Sequence, residues 1–180
     1  MIQRVQSFWL VLAVCGMALC FMFPTAKYAM TLPTTGQKVE ASLELVGQSE
    51  EDTLSQLGMG EQVVKYIPKL GGIAIWPLVV LALLTGVLAL VGLFLYSNRV
   101  RQMRVVMVAF LCSVAYVFVV FIWAVDAYGE KVAEVMRATD LEVEWGVGAI
   151  APIVSVVLLV LAYRGIRRDE AKVRAADRLR

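Results

Sequence analysis

The sequence predicts an all-α membrane protein, a four-transmembrane-helix bundle with a small extracytoplasmic β-sheet. Three observations lead there. Of 180 residues, 60% are hydrophobic and 18% charged, against roughly 45–50% and about 25% in soluble domains. A single core of this size has no room for so much apolar surface. Four apolar runs close to spanning length, Phe8–Phe23, Ile73–Tyr96, Val105–Val125 and Gly146–Tyr163, contain no charged side chain, and the charges between them are sorted by sign along the chain. The composition excludes a cytosolic globular enzyme, a disordered regulator and a secreted disulfide scaffold. With no histidine in the chain, histidine acid–base catalysis, haem ligation and the usual zinc sites are excluded too.

A spanning helix needs about 20 mostly apolar residues. The first stretch covers about 8–24, an apolar run from Phe8 to Phe23 closed by Pro24. The second covers 73–96 and the third 105–127, continuing outward as a helix to about 137. The fourth covers 146–164, followed by a basic tail over 165–180. Each must be a helix, because hydrocarbon offers no water to satisfy an open backbone. A cleaved signal peptide is the competing reading of the first stretch. However, no A-x-A-like site follows, and cutting after Ala29 would put Lys27 at the −3 position. An uncleaved anchor is expected.

Lys and Arg accumulate on the cytoplasmic side of membrane proteins. Arg4, the turn with Arg99, Arg101 and Arg104, and the tail together hold 11 basic residues and three acids, whereas the two long loops hold six basic residues and twelve acids. Both termini are therefore expected in the cytoplasm and the long loops outside. Trp76, Trp123 and Trp145 fall near the outer interface; Trp9, Tyr96 and Tyr163 fall near the inner one, as two aromatic belts.

The outer loop, about 25–72, contains two alternating segments. Tyr28, Met30 and Leu32 form one apolar set; Val39, Ala41, Leu43 and Leu45 form the other. Period two marks half-buried strands, and Pro33-Thr34-Thr35-Gly36 between them is turn chemistry. A lone hairpin is marginal in water, so the segment 140–145, where Leu141, Val143 and Trp145 alternate with acids, is expected to join it as a third strand. Val132, Val135 and Met136 have helical spacing and extend the third span outward. Gln48–Gly60 reads as an acidic excursion. Glu50, Glu51 and Asp52 lack the spaced oxygen ligands of a calcium loop.

Cys15, Cys20 and Cys112 lie inside spans, where a thiol behaves as a small hydrophobe. Cys15 and Cys20 sit about 140° apart on a helix, too far around for a redox pair. Small residues recur at four-residue spacing, Ala82 with Gly86, Ala109 with Ser113, Ala151 with Ser155, and read as helix-packing faces. Pro152 should release a carbonyl and kink the fourth span. Intramembrane charges, the usual mark of transport and proton relay, are missing. The neutral polar residues Thr85, Ser113, Tyr116 and Ser155 look scattered. No catalytic, cofactor or metal site is expected, and Asp126, Glu130 and Glu144 are the only acids an enzyme could use.

The tail reads as a helix continuing from the fourth span, with Glu170 and Arg174 as an i,i+4 pair and Asp169 within reach of Lys172. Arg167, Arg168, Lys172, Arg174, Arg178 and Arg180 are its candidate contacts to anionic lipid or a partner protein. Nucleic acid is not an expected partner, since Tyr163 alone could stack on a base.

The opening Met1-Ile2-Gln3-Arg4-Val5-Gln6-Ser7, leading into an apolar span, and the closing Gly165-Ile166-Arg167-Arg168-Asp169-Glu170, Val173-Arg174 and Asp177-Arg178-Leu179-Arg180 resemble a known family. It comprises small four-pass inner-membrane proteins of Bacteroidota, catalogued as a domain of unknown function. The resemblance implies a Gram-negative inner membrane with the long loops in the periplasm, and it carries over no functional residues. By topology alone, a sheet above four helices is similar to the claudin-like arrangement. The expected role is a non-enzymatic accessory or scaffold subunit of an assembly with another inner-membrane or periplasmic protein. The alternative is a binder or carrier of lipid or an apolar small molecule in a lateral inter-helix cleft.

Overall fold

The computed structural model describes residues 2–31, 38–43, 45, 64–65, 76–136 and 142–178. In chain order the elements are α1 (Ile2–Met22), β1 (Ala26–Thr31), β2 (Lys38–Leu43), β3 (Val64–Lys65), α2 (Trp76–Phe94), a 3-10 turn (Leu95–Ser97), α3 (Arg99–Val119), a π-helical turn (Val120–Ala124), α4 (Val125–Met136), β4 (Glu142–Trp145) and α5 (Val147–Arg178). The turn Pro33–Gly36, the Gln48–Gly60 excursion with Glu50, Glu51 and Asp52, Leu141 and Arg180 lie outside the described residues.

Three helical segments are long and apolar enough to cross a membrane: Trp76–Ser97, Arg99–Glu130 and Val147–Ala175. The first expected span falls in α1, whose described apolar stretch, Gln6–Met22, is shorter. The helices form a closed ring: α1 packs on α2 and α5, and α3 packs on α2 and α5. One end of the ring gathers the start of α1, the α2–α3 turn and the end of α5. The opposite end carries the sheet.

Each helix turns a narrow stripe inward. Among the described residues the buried ones are Gln6, Leu10, Ala13, Gly16, Met17 and Cys20 on α1; Leu78, Ala82, Thr85, Ala89 and Gly92 on α2; Gln102, Val106, Ala109, Ser113 and Tyr116 on α3. On α5 they are Gly148, Ala149, Ala151, Pro152, Ser155, Leu159, Ala162, Ile166 and Asp169. Steps of four and three dominate these stripes, the spacing of a left-handed bundle seam. The inward residues are mostly small or polar, whereas Phe8, Leu83, Val87, Leu111, Phe118, Val154 and Val157 stand outward. In water such a surface would aggregate. In lipid, where burying apolar groups between helices gains little over leaving them in acyl chains, close backbone approach by small residues is what holds helices together.

The expected Ala82–Gly86 face needs correcting. Ala82 is fully buried, but a Cβ on Gly86 would meet nothing within 4 Å. A further four-residue step rotates about 40° past Ala82, off a stripe that returns through Thr85 to Ala89. The close approach falls at Gly92 instead, where a Cβ would lie 3.0 Å from Val106 Cγ2. Thr85, Ser113, Tyr116 and Ser155, scattered in sequence, all face the interior. Cys15 is exposed and Cys20 buried, on different faces of α1.

α3 begins at Arg99, well before the expected start at 105, because the basic residues extend the helix beyond its apolar part. Gln102 then donates from Nε2 to the Gly92 carbonyl at 2.9 Å, satisfying a carbonyl in the last turn of α2. The π turn at Val120–Ala124 was not foreseeable from the apolar pattern. α5 is one 32-residue helix with Pro152 inside it, so the described part of the tail continues the same helix as the apolar stretch before it. Proline at 152 cannot donate to the Gly148 carbonyl.

The sheet order is β3-β2-β1-β4. β1 lies between β2 and β4, antiparallel to both: Ala26 stands opposite Leu43 and Trp145, and Tyr28 opposite Ala41 and Val143. The distant strand around 140–145 thus joins the hairpin, beginning at Glu142. β3, parallel to β2 through Val64 and Lys65, was not anticipated; two residues are too few to show a period.

Two glycines let the sheet sit on the bundle. A Cβ on Gly146 would be 2.0 Å from the Pro24 carbonyl oxygen, and one on Gly148 2.6 Å from that of Phe23. The bare backbone instead donates from Gly146 N to Thr25 O at 3.0 Å and from Gly148 N to Pro24 O at 3.1 Å. Tyr28 completes the joint, its hydroxyl donating to the Val125 carbonyl at 2.7 Å and its ring lying 5.2 Å from that of Tyr128.

Candidate functional site

Where α5 leaves its apolar part, Leu161, Arg164, Gly165, Arg168 and Lys172 recur at helical spacing and share one side of the helix. α1 runs alongside. A Cβ on Gly165 would lie 3.0 Å from Gln6 Cγ, so glycine there lets the two helices close up. Gln6 lies over it and donates from Nε2 to Oδ2 of Asp169. Both residues are buried, and a buried carboxylate needs such a donor. Arg99 adds a bond from Nη1 to the Asp169 carbonyl at 3.3 Å, tying in the start of α3.

Between α1 and α5 this leaves a groove of about 400 Å³, lined by Gln6, Trp9, Leu161, Arg164, Gly165, Arg168, Asp169 and Lys172. It is apolar at the Trp9 and Leu161 level and cationic beyond. Arg164, Arg168 and Lys172 are all exposed, so the cations keep their solvation until something binds.

Of the residues expected to interact, Arg168 and Lys172 line the groove and Arg167 does not. Arg174 is held by Glu170, Nε to Oε1 3.0 Å, the i,i+4 pair expected from the sequence. Arg178 is the last described residue of α5. Asp169, expected near Lys172, turns inward to Gln6 instead, because its position continues the buried stripe from Ala162 and Ile166. Gln6, Trp9, Leu161 and Arg164 belong to the groove and were not among the expected site residues. The cationic spacing was visible along the tail, but its partners lie more than 150 positions away.

Along their apolar lengths the helices enclose hydroxyls rather than charges, the buried Asp169 lying where α5 leaves its apolar part. Ser155 Oγ donates within α5 to Ala151 O at 3.0 Å and faces Ala13 O of α1 at 3.3 Å; Thr85 Oγ1 donates to Leu81 O at 2.8 Å. Ser113 Oγ is buried with no hydrogen-bond partner among the described residues. In the sheet joint, burial, then Tyr128 and Asp126, push the Tyr28 phenol well above its ordinary value. Among the described residues no three Cys, Asp or Glu side chains converge as a metal site would require. Asp126, Glu130 and Glu144 are exposed.

At the sheet end, β4 is an edge strand. Glu142, Val143, Glu144 and Trp145 are all exposed, and Trp145 stacks on Phe121 with ring centroids 4.9 Å apart.

The family described as a domain of unknown function (DUF4293) matches residues 2–179. No curated protein and no solved structure matches the chain. The chain belongs to the DUF4293 family.

Proposed function

We propose that this DUF4293 protein is a four-pass integral protein of the inner membrane, with both termini cytoplasmic and the sheet outside. In this reading it acts as a non-enzymatic accessory subunit that presents its sheet to another inner-membrane or periplasmic protein. The topology is supported by the charge partition, with 11 of the 17 basic residues but only three of the 15 acids in the terminal regions and the α2–α3 turn. It is supported as well by the position of α1. As a full member of the helix ring, and at 21 residues about 31 Å long, it reaches across a hydrocarbon core of about 30 Å. A claudin-like arrangement, sheet above four helices, follows from that topology.

The observation that carries the accessory role is the β4 edge. Strand edges offer unpaired backbone groups to a partner chain, and strand addition is a common way to use them. This edge is anchored by the Gly146 and Gly148 contacts and carries exposed Val143 and Trp145. Spans without ionisable groups argue against transport or proton relay.

A photo-crosslinking residue at Val143 should trap one discrete partner in intact cells, and V143K should reduce co-purification of that partner in mild detergent. Recovery of the chain alone, with no adduct, would overturn the accessory role. The topology is tested separately with an impermeant maleimide. K27C should label from outside and R101C only after permeabilisation; the reverse pattern would overturn the orientation.

A further inference from the structure

We propose that the groove between α1 and α5 is a headgroup site for an anionic phospholipid. The inference needs the helices to span a bilayer, but does not depend on the accessory role or on a partner for the sheet.

The argument starts from the layering of the groove. Trp9 and Leu161 wall its apolar part, and Trp is the residue that settles at the boundary between acyl chains and headgroups. One and two helical turns further along α5 from Arg164 come Arg168 and Lys172, and all three line the same 400 Å³ space. A ligand following this wall must be apolar at one end and anionic at the other. A free phosphate or soluble anion would use the cations and leave the tryptophan idle; a phospholipid uses both.

The charge inside the groove is also arranged for an anion. It contains one carboxylate, Asp169, and that carboxylate accepts from the Gln6 amide within the helix packing. Among the described residues the three cations have no acid partner, unlike Arg174, which Glu170 engages. Arginine forks match phosphate oxygens in a bidentate manner, and lysine adds a point charge. Gly165 keeps α1 close enough for Trp9 to serve as the opposite wall. The site therefore depends on the junction of two helices distant in sequence rather than on the general positive charge of the tail.

Native mass spectrometry of the detergent-purified full chain tests this with phosphatidylglycerol, phosphatidylcholine and inorganic phosphate as probes. The wild-type protein should retain phosphatidylglycerol in preference to phosphatidylcholine, and inorganic phosphate should not displace it. The variant R164Q/R168Q/K172Q should lose retention by roughly a hundredfold, three bases at about a factor of five each, and by clearly more than R101Q/R104Q/R167Q, which removes equal charge from the same end. Equal loss in the two variants would overturn the site in favour of diffuse attraction. Equal retention of the two lipids would overturn it as well, and that arm needs no variant to fold. Displacement by inorganic phosphate would identify a soluble-anion site instead. Labelling of K27C and R101C reports separately on whether the chain spans the membrane.

Discussion

Gly16→Ala tests the tightest helix contact in the bundle. The added Cβ would stand 2.3 Å from Ser155 Oγ and 3.4 Å from the Ala151 carbonyl oxygen. The hydroxyl must rotate away, giving up its contacts to Ala13 O at 3.3 Å and Ala151 O at 3.0 Å. Hydrogen bonds between membrane helices contribute about 0.6 kcal/mol on average, and overpacking a filled contact costs about 1–3 kcal/mol. Alanine recovers up to about 1 kcal/mol of helix propensity, so the net loss should be about 1–2 kcal/mol. Ser155→Ala alone should cost under about 1 kcal/mol. In that background the atoms nearest the new methyl become the Ala151 carbonyl oxygen, at 3.4 Å, and the residue 155 Cβ, at 3.6 Å, both ordinary contacts. Gly16→Ala should then become neutral or stabilising. The cycle is measured by SDS-titrated unfolding in mixed micelles, followed by circular dichroism. Effects that add to within about 0.5 kcal/mol, or a Gly16→Ala variant as stable as wild type, would refute the assignment of α1 against α5.

Tyr28→Phe removes the hydroxyl bonded to the Val125 carbonyl and should cost about 1 kcal/mol in the same unfolding assay. Burial raises the folded Tyr28 pKa above its ordinary value of 10.0, so its contribution to stability is complete below about pH 10 and falls as pH rises beyond it, where the unfolded chain ionises and the folded one does not. Alkaline unfolding should accordingly be less steep in Tyr28→Phe, checked by melting against pH. Gly146→Ala places a Cβ 2.0 Å from the Pro24 oxygen and should destabilise by more than about 3 kcal/mol. Gly86→Ala, in open space, should leave stability unchanged or raise it by up to about 1 kcal/mol; paired melting curves compare the two. Gln6→Leu leaves the Asp169 carboxylate without its buried donor and should cost about 1–3 kcal/mol, read as a loss of melting temperature.

Part of this architecture was legible because local chemistry decides it. Length and absence of charge mark the long apolar helices, since hydrocarbon leaves the backbone no alternative to self-satisfaction. Alternation at Tyr28 and Met30, and at Val39, Ala41 and Leu43, marks β1 and β2, whose pairing runs in register from Ala26–Leu43 to Thr31–Lys38. The edge strand with Val143 and Trp145 could be assigned to the same sheet because a two-stranded hairpin needs further support. Which face of each helix turns inward was harder to read. In a uniformly greasy segment hydropathy distinguishes no side. The discriminating signal was the sparse run of small and polar residues, and a four-residue rule applied to Ala82 and Gly86 followed it in the wrong direction.

Composition and periodicity alone determined that this chain is built for lipid, that a strand pair follows the first apolar stretch, and that its tail is a cationic helix. These properties depend on residues near one another in sequence and on the solvent they must satisfy. Only the tertiary structure decided the order of helices in the ring, the seating of the sheet on Gly146 and Gly148, and the meeting of Gln6 and Trp9 with Arg164, Arg168 and Lys172. Each of those requires two surfaces distant in sequence to fit, and no stretch of the chain read alone contains both sides of the contact.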